Sequence, residues 1–187
     1  MKDQFGIRGL LQANPIIPVA SIEDVSAVSD VLAGLSARGV NCIEITLRSK
    51  TSFAVLQKAI ECRPDGFKVG VGTIVNAKQV EKCHAIGVDF LVSPGLTPKL
   101  SKAFKAGSIP FLPGVMTPSE IIIGMSYGFQ TFKLFPFNLA GGEKALKAYG
   151  NVFPAVKFCP TGGISEDIAA NCLDMKNVLA VGGSWLV

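Results

Sequence analysis

The stretch Thr131-Phe-Lys-Leu-Phe-Pro-Phe-Asn138 sets one lysine, Lys133, among large apolar residues in what reads as a buried strand. Burying an ammonium is costly and favours the neutral amine, which is a nucleophile toward carbonyl carbon. The bland alternative is a lysine that snorkels from a strand edge, its stem on apolar surface and its charge in water. A second stretch, Cys42-Ile-Glu-Ile-Thr-Leu-Arg48, favours the nucleophile. Side chains alternate along a strand, so Cys42, Glu44, Thr46 and Arg48 share one face, and Ile43, Ile45 and Leu47 the other. The apolar face has to meet helices, which sends Glu44 and Arg48 into the barrel and its mouth. By the same parity Thr131, Lys133 and Phe135 share a face. An inward carboxylate on a different strand gives an imine-forming amine the proton shuttle it needs. For Glu44 and Arg48 alone, an internal ion pair or a solvated strand end would serve as well.

Two glycine pairs add an anion-binding character. Cys159-Pro-Thr-Gly-Gly-Ile-Ser165 ends one candidate strand and opens a helix, and Val181-Gly-Gly-Ser-Trp185 ends another. Glycine lets backbone N–H groups approach a phosphate, and a helix N-terminus adds a favourable dipole. Each pair could also be a simple turn. The segment Gly70-Val-Gly-Thr73 lacks the spacing and acidic partner of a dinucleotide site, but Thr73 ends a strand and can hydrogen-bond a ligand. The single histidine, His84, sits mid-helix and reads as a packing residue. With the cysteines scattered as well, no transition-metal site is expected.

These residues need a frame that turns strand ends toward one place. Strand-like runs cover 16–20, 40–47, 67–72, 88–93, 109–114, 129–135, 155–160 and 177–182, eight in all. Amphipathic runs lie between them. Helix starts are marked by Ser21 with Asp24, Asn76 with Gln79, and Thr117 with Glu120, and Pro98 and Pro118 each follow a threonine. Gly39, Gly87, Gly107 and Gly128 mark helix ends. Eight short-linked strand–helix units predict parallel strands and a single-domain (β/α)8 barrel over 1–187, ahead of an open doubly wound sheet. Chemistry in a barrel belongs at the C-terminal strand ends, with phosphate in the last two loops. The chain stops at Val187, past the eighth strand, so the eighth outer helix is expected to be missing from it.

Composition agrees. A chain of 187 residues with 49% hydrophobic content suffices for one large core. The net charge of +4 is dispersed, without basic runs, so nucleic acid is not an expected partner. Five separated cysteines without a CxxC pair suggest a reducing, cytoplasmic compartment. No apolar run approaches the roughly 18 residues of a membrane span, and the charged, proline-broken start is a poor signal peptide.

The motifs together resemble the 2-keto-3-deoxy-6-phosphogluconate (KDPG) aldolase and 4-hydroxy-2-oxoglutarate aldolase family over nearly the whole chain. The resemblance is carried by PVA (18–20), IEITLR (43–48), VGTIVNAKQ (71–79), VSPGLTP (92–98), PGVMTPSE (113–120), FKLFP (132–136), FCPTGGIS (158–165) and GGSWLV (182–187). It implies a class I aldolase without cofactor or metal. Such an enzyme splits 2-dehydro-3-deoxy-6-phosphogluconate into pyruvate and glyceraldehyde 3-phosphate, and also takes 4-hydroxy-2-oxoglutarate. An aldolase for the 6-phosphogalactonate epimer and a non-catalytic phosphate-ligand barrel are the alternatives. Carried over by motif, Lys133 forms the Schiff base and Glu44 is the general acid/base. Arg48 and Thr73 hold the pyruvate carboxylate, Thr161 meets the hydroxylated part, and Gly162, Gly163, Gly183 and Ser184 cradle the phosphate. A homotrimer is implied. Leu134, Phe137 and Asn138 depart from the family pattern and are expected to reshape the loop beside the lysine.

Overall fold

The computed structural model describes residues 3–187. The chain opens with helix α1 (Ile7–Ala13) and strand β1 (Ile16–Ala20). Helix α2 (Val28–Ala37) leads to β2 (Cys42–Thr46), α3 (Ser52–Cys62) to β3 (Lys68–Gly72), and α4 (Ala77–Ile86) to β4 (Phe90–Val92). Helix α5 (Pro98–Ala106) is followed by β5 (Phe111–Leu112) and β6 (Gly114–Val115). Helix α6 (Pro118–Ser126) then precedes β7 (Thr131–Leu134), α7 (Gly142–Val152) precedes β8 (Lys157–Pro160), and α8 (Glu166–Leu173) precedes β9 (Val181–Gly183).

All pairings are parallel, as the regular strand–helix alternation requires. Six strands run β5-β4-β3-β2-β1-β9 and three run β6-β7-β8. The expected strand at 109–114 is thus two segments. Pro113 has no N–H to give a ladder, yet its carbonyl still accepts from Lys133 N at 3.0 Å. The sheet curls into a half-barrel, because Lys133 on β7 and Glu44 on β2 hydrogen-bond to each other although their strands are not neighbours.

Side-chain alternation sorts the core into two layers. Ile43, Ile45, Phe132, Leu134 and Phe158 pack outward against Leu32, Val55, Leu56, Phe104 and Leu146 of the helices. Cys42, Phe90, Val92, Leu112 and Cys159 face inward and meet Ile7 and Leu11 of α1. The sequence reading had no element before Pro15, so α1 is an addition to it. Burying Ile7 and Leu11 contributes about 1.5–3 kcal/mol each, before the cost of ordering the segment.

Residues ahead of α1 finish that end of the sheet. The buried Gln4 amide donates to the carbonyls of Phe111 (3.2 Å) and Thr131 (2.8 Å) and accepts from the N–H groups of Gln130 (3.1 Å) and Thr131 (2.9 Å). It fills the place of a peptide unit between β5 and β7, where the two sheets part. Arg8 adds bonds to Thr131 Oγ1 at 2.9 Å and to the carbonyls of Gln130 and Ala155, both at 3.0 Å.

Most helix punctuation has its expected role. Asn76 with Gln79 and Thr117 with Glu120 form reciprocal capping boxes, and Pro98 and Pro118 open their helices. Ser21 does not cap a helix. Asp24 does that work instead, accepting from Ser26 N at 2.8 Å to start a 3-10 turn over Val25–Ala27. Gly107 is extended rather than left-handed; its missing side chain makes room for the His84 ring, which packs between α4 and α5.

Candidate active site

Strand β7 delivers Lys133 inward because Phe132 and Leu134 on either side of it are claimed by the outer apolar layer. Strand β2 delivers Glu44 in the same way, between Ile43 and Ile45. Lys133 Nζ lies 3.0 Å from Glu44 Oε1 and 3.3 Å from Oε2. Lys133 is 5% exposed and Glu44 3%, so the pair sits in a medium where each charge depends on the other. The Phe135 ring stands 5.3 Å from the ammonium, close enough for cation–π attraction. It is the one aromatic of the stretch beside the amine, since Phe132 and Phe137 pack outward. Glycine at position 72 is forced, because a Cβ there would occupy the space of the Glu44 carboxylate.

Below the ion pair, burial pushes the Cys159 and Cys42 thiols up to about 12 each. They stay protonated at neutral pH, so the floor of the site adds no negative charge beneath Glu44.

Above the pair opens a cavity of about 660 Å3, walled by Lys133, Phe135, Arg48, Thr161, Gly162, Gly163, Gly183 and Ser184 among others. Seven of the nine residues singled out in the sequence line it: Lys133, Arg48, Thr161, Gly162, Gly163, Gly183 and Ser184. Glu44 reaches it through Lys133, and Thr73 is not among the lining residues. The two glycine pairs come from neighbouring elements, with Thr161 bridging to Gly182. Gly162 and Gly163 take φ of +99° and +71°, backbone that side chains rarely adopt. A Cβ on Gly183 would strike the Trp185 ring. Gly162, Gly163 and Gly183 thus present backbone without side chains to the cavity.

Arg48 stands at the mouth of the cavity, where strand parity sends it. β2 ends at Thr46, and Arg48 lies in the following turn, exposed, in none of the ion pairs among the described residues. Its guanidinium is held at the rim and is free to take an anion. Thr73 has a φ of +63°, left-handed backbone that is uncommon for a β-branched residue, on the segment next to Gly72 and the Glu44 carboxylate. Leu134 and Phe137 belong to the outer core and do not line the cavity. Asn138 lies against Gly163, and its N–H donates to Gly162 O at 3.2 Å, so it braces the glycine loop from behind. Among the described residues, no group of three His, Cys, Asp or Glu side chains is placed to hold a metal ion.

The sequence reading missed Ser21, Glu23, Asp24 and Ile164 as cavity residues. Ser21 follows the last residue of β1, a strand end like the others, but its spacing to Asp24 matched a helix cap.

The chain matches the family model for KDPG and KHG aldolase over residues 7–187. It is 42% identical to the 2-dehydro-3-deoxy-phosphogluconate aldolase of Dickeya dadantii over 178 residues, 95% of this chain and 83% of the relative. It is 40% identical to the KHG/KDPG aldolase of Escherichia coli K12 over the same shares. A crystal structure of the KDPG aldolase of Legionella pneumophila, with pyruvate captured as a covalent carbinolamine intermediate, superposes with a TM-score of 0.93 at 39% identity. That match covers 97% of this chain and 87% of the other.

Proposed function

The chain belongs to the KDPG and KHG aldolase family, and from that premise we propose how its residues divide the work of the reaction. It is an aldolase that cleaves 2-dehydro-3-deoxy-6-phosphogluconate to pyruvate and glyceraldehyde 3-phosphate. Lys133 passes its proton to Glu44, the neutral Nζ adds to the C2 carbonyl, and Glu44 returns that proton to the carbinolamine hydroxyl, which leaves as water to give an iminium. Glu44 takes the proton of the C4 hydroxyl. The C3–C4 bond then breaks, its electron pair passes into the iminium to form an enamine, and the aldehyde leaves. Glu44 returns the proton to C3, and water releases pyruvate and the free amine. The same carboxylate acts in both directions because it stays within 3.0–3.3 Å of the nitrogen on which the intermediates are built.

Arg48 and Thr73 hold the carboxylate of the pyruvate half, the guanidinium by its planar fork. Thr161 contacts the hydroxylated part, and Gly162, Gly163, Gly183 and Ser184 cradle the phosphate. The mixture of a buried amine and carboxylate with two open glycine loops above them is the observation that carries this division. Cleavage of 4-hydroxy-2-oxoglutarate follows from the same first steps, and the name of the Escherichia coli relative supports it. Treatment with pyruvate and borohydride tests the assignment: a reduced adduct mapping to Lys133 is expected, and a folded protein with no adduct there would overturn it.

The frame around this chemistry is a closed (β/α)8 barrel, one domain over 1–187. Closure is supported by the bridges Phe158–Val178 and Thr161–Gly182 on one side and by chain continuity through Pro113 on the other. The working form is a cytoplasmic homotrimer. Ile122, Ile123 and Met125, exposed on α6, supply an apolar strip for subunit contact, and no described helix is long and apolar enough to cross a membrane. Light scattering on the eluted protein gives the subunit count.

A further inference from the structure

We propose that Ser21 is a specificity residue of this aldolase, accepting a hydrogen bond from the hydroxyl of the substrate that becomes the 2-hydroxyl of glyceraldehyde 3-phosphate. The inference rests on the reaction assigned above and adds a contact to it. Ser21 lines the cavity that holds Lys133. It follows the end of β1, a strand paired on one side with β2, which carries Glu44, and on the other with β9, which carries the Gly183 loop. A substrate reaching from the acid/base carboxylate to the phosphate cradle passes this strand end.

The direction of the hydrogen bonds fixes what Ser21 can offer. Thr46 is 3% exposed, and its hydroxyl donates to Ala20 O at 3.2 Å. A hydroxyl has one proton, so this bond and the 2.7 Å contact between Ser21 Oγ and Thr46 Oγ1 are both made when Ser21 donates the second. In that arrangement Ser21 presents only lone pairs to the cavity. It suits a donor such as a hydroxyl, whereas a phosphate or carboxylate oxygen would meet it lone pair to lone pair. Thr161, just past the end of β8, bridges to Gly182 on the other side of β9, so the hydroxylated part of the substrate lies between two hydroxyl side chains that follow different strands. Thr46 is the positioning residue, since it holds the Ser21 proton away from the ligand.

The test is condensation of pyruvate with glyceraldehyde 3-phosphate and with its 2-deoxy analogue, measured for wild type, Ser21→Ala and Ser21→Thr. The wild-type preference in kcat/KM for the hydroxylated aldehyde should fall about fivefold in Ser21→Ala, the ratio for one neutral hydrogen bond, and return in Ser21→Thr. An unchanged preference in Ser21→Ala, with pyruvate still trapped on Lys133 by borohydride, overturns the role of Ser21 alone. Absence of trapping in the wild type overturns the aldolase assignment and this role with it. An equal fall for both aldehydes also overturns it, since Ser21 would then act on the shared chemistry.

Discussion

The two ends of the curled sheet are built by opposite rules. At the N-terminal end of the strands side chains close the gaps: the Gln4 amide makes four hydrogen bonds, the Arg8 side chain makes three, and Ile7 and Leu11 seal the interior. At the C-terminal end an exposed guanidinium, a left-handed threonine, two loops of bare glycine and a buried charge pair are left around an open cavity. The contrast assigns stability to one end and chemistry to the other. A closed, saturated end lets the other hold groups in states that cost free energy when no ligand is bound.

The largest test of that division is Lys133→Met. Removing the nucleophile should lower turnover by about 10^4-fold or more. It also strands Glu44, at a stability cost of about 3–5 kcal/mol, so the double variant Lys133→Met/Glu44→Gln should melt above the single one. A double variant no more stable than Lys133→Met would mean the pair is not coupled in this way. Glu44→Gln alone should still trap pyruvate on Lys133 while slowing exchange of the pyruvate methyl protons by about 10^2- to 10^4-fold. Undiminished exchange would point to another base.

At the other end Gln4→Ala should do the reverse. Chemical denaturation should show a loss of about 1–3 kcal/mol from the backbone groups left without partners, with kcat and KM of the folded protein unchanged. An activity loss without a stability loss would erase the division between the ends. Alkaline pH probes the interior between the two ends through Cys42 and Cys159. Burial raises both thiols to about 12 in the folded protein, against about 9 for an unburied thiol. Between those pH values the unfolded chain binds fewer protons than the folded one, so stability falls as pH rises. Cys42→Ala should flatten the slope over that window; an equal slope in the variant would count against it. The smallest effect belongs to Thr73→Gly, which relieves the left-handed strain by about 1 kcal/mol while raising KM for pyruvate. A variant that loses stability would show that the position is not strained.

Much of the catalytic end was legible in the sequence. Strand parity placed Lys133 and Glu44 inward because Phe132, Leu134, Ile43 and Ile45 had to face helices, and alternation is local. Capping at Asn76 and Thr117 was local too. Arg48 had the right parity and stands at the mouth of the cavity, although it lies beyond the last laddered residue, since a strand stops where its neighbours stop pairing. The failures lay elsewhere. Ser21 satisfied a capping pattern, yet its hydroxyl bonds to Thr46 on the adjacent strand instead. Gln4 gave no signal at all, because its amide completes a gap between strands more than 100 residues away in sequence.

The sequence by itself determined the residue types and the side of each strand on which they stand: the amine, the carboxylate, the glycine loops and the apolar faces that aim them. Only the tertiary structure decided the 3.0 Å approach of Lys133 to Glu44, the cavity above them and the saturated end below. Parity is a property of one strand's backbone, whereas distance across the interior depends on how the whole sheet curls and on what fills its gaps.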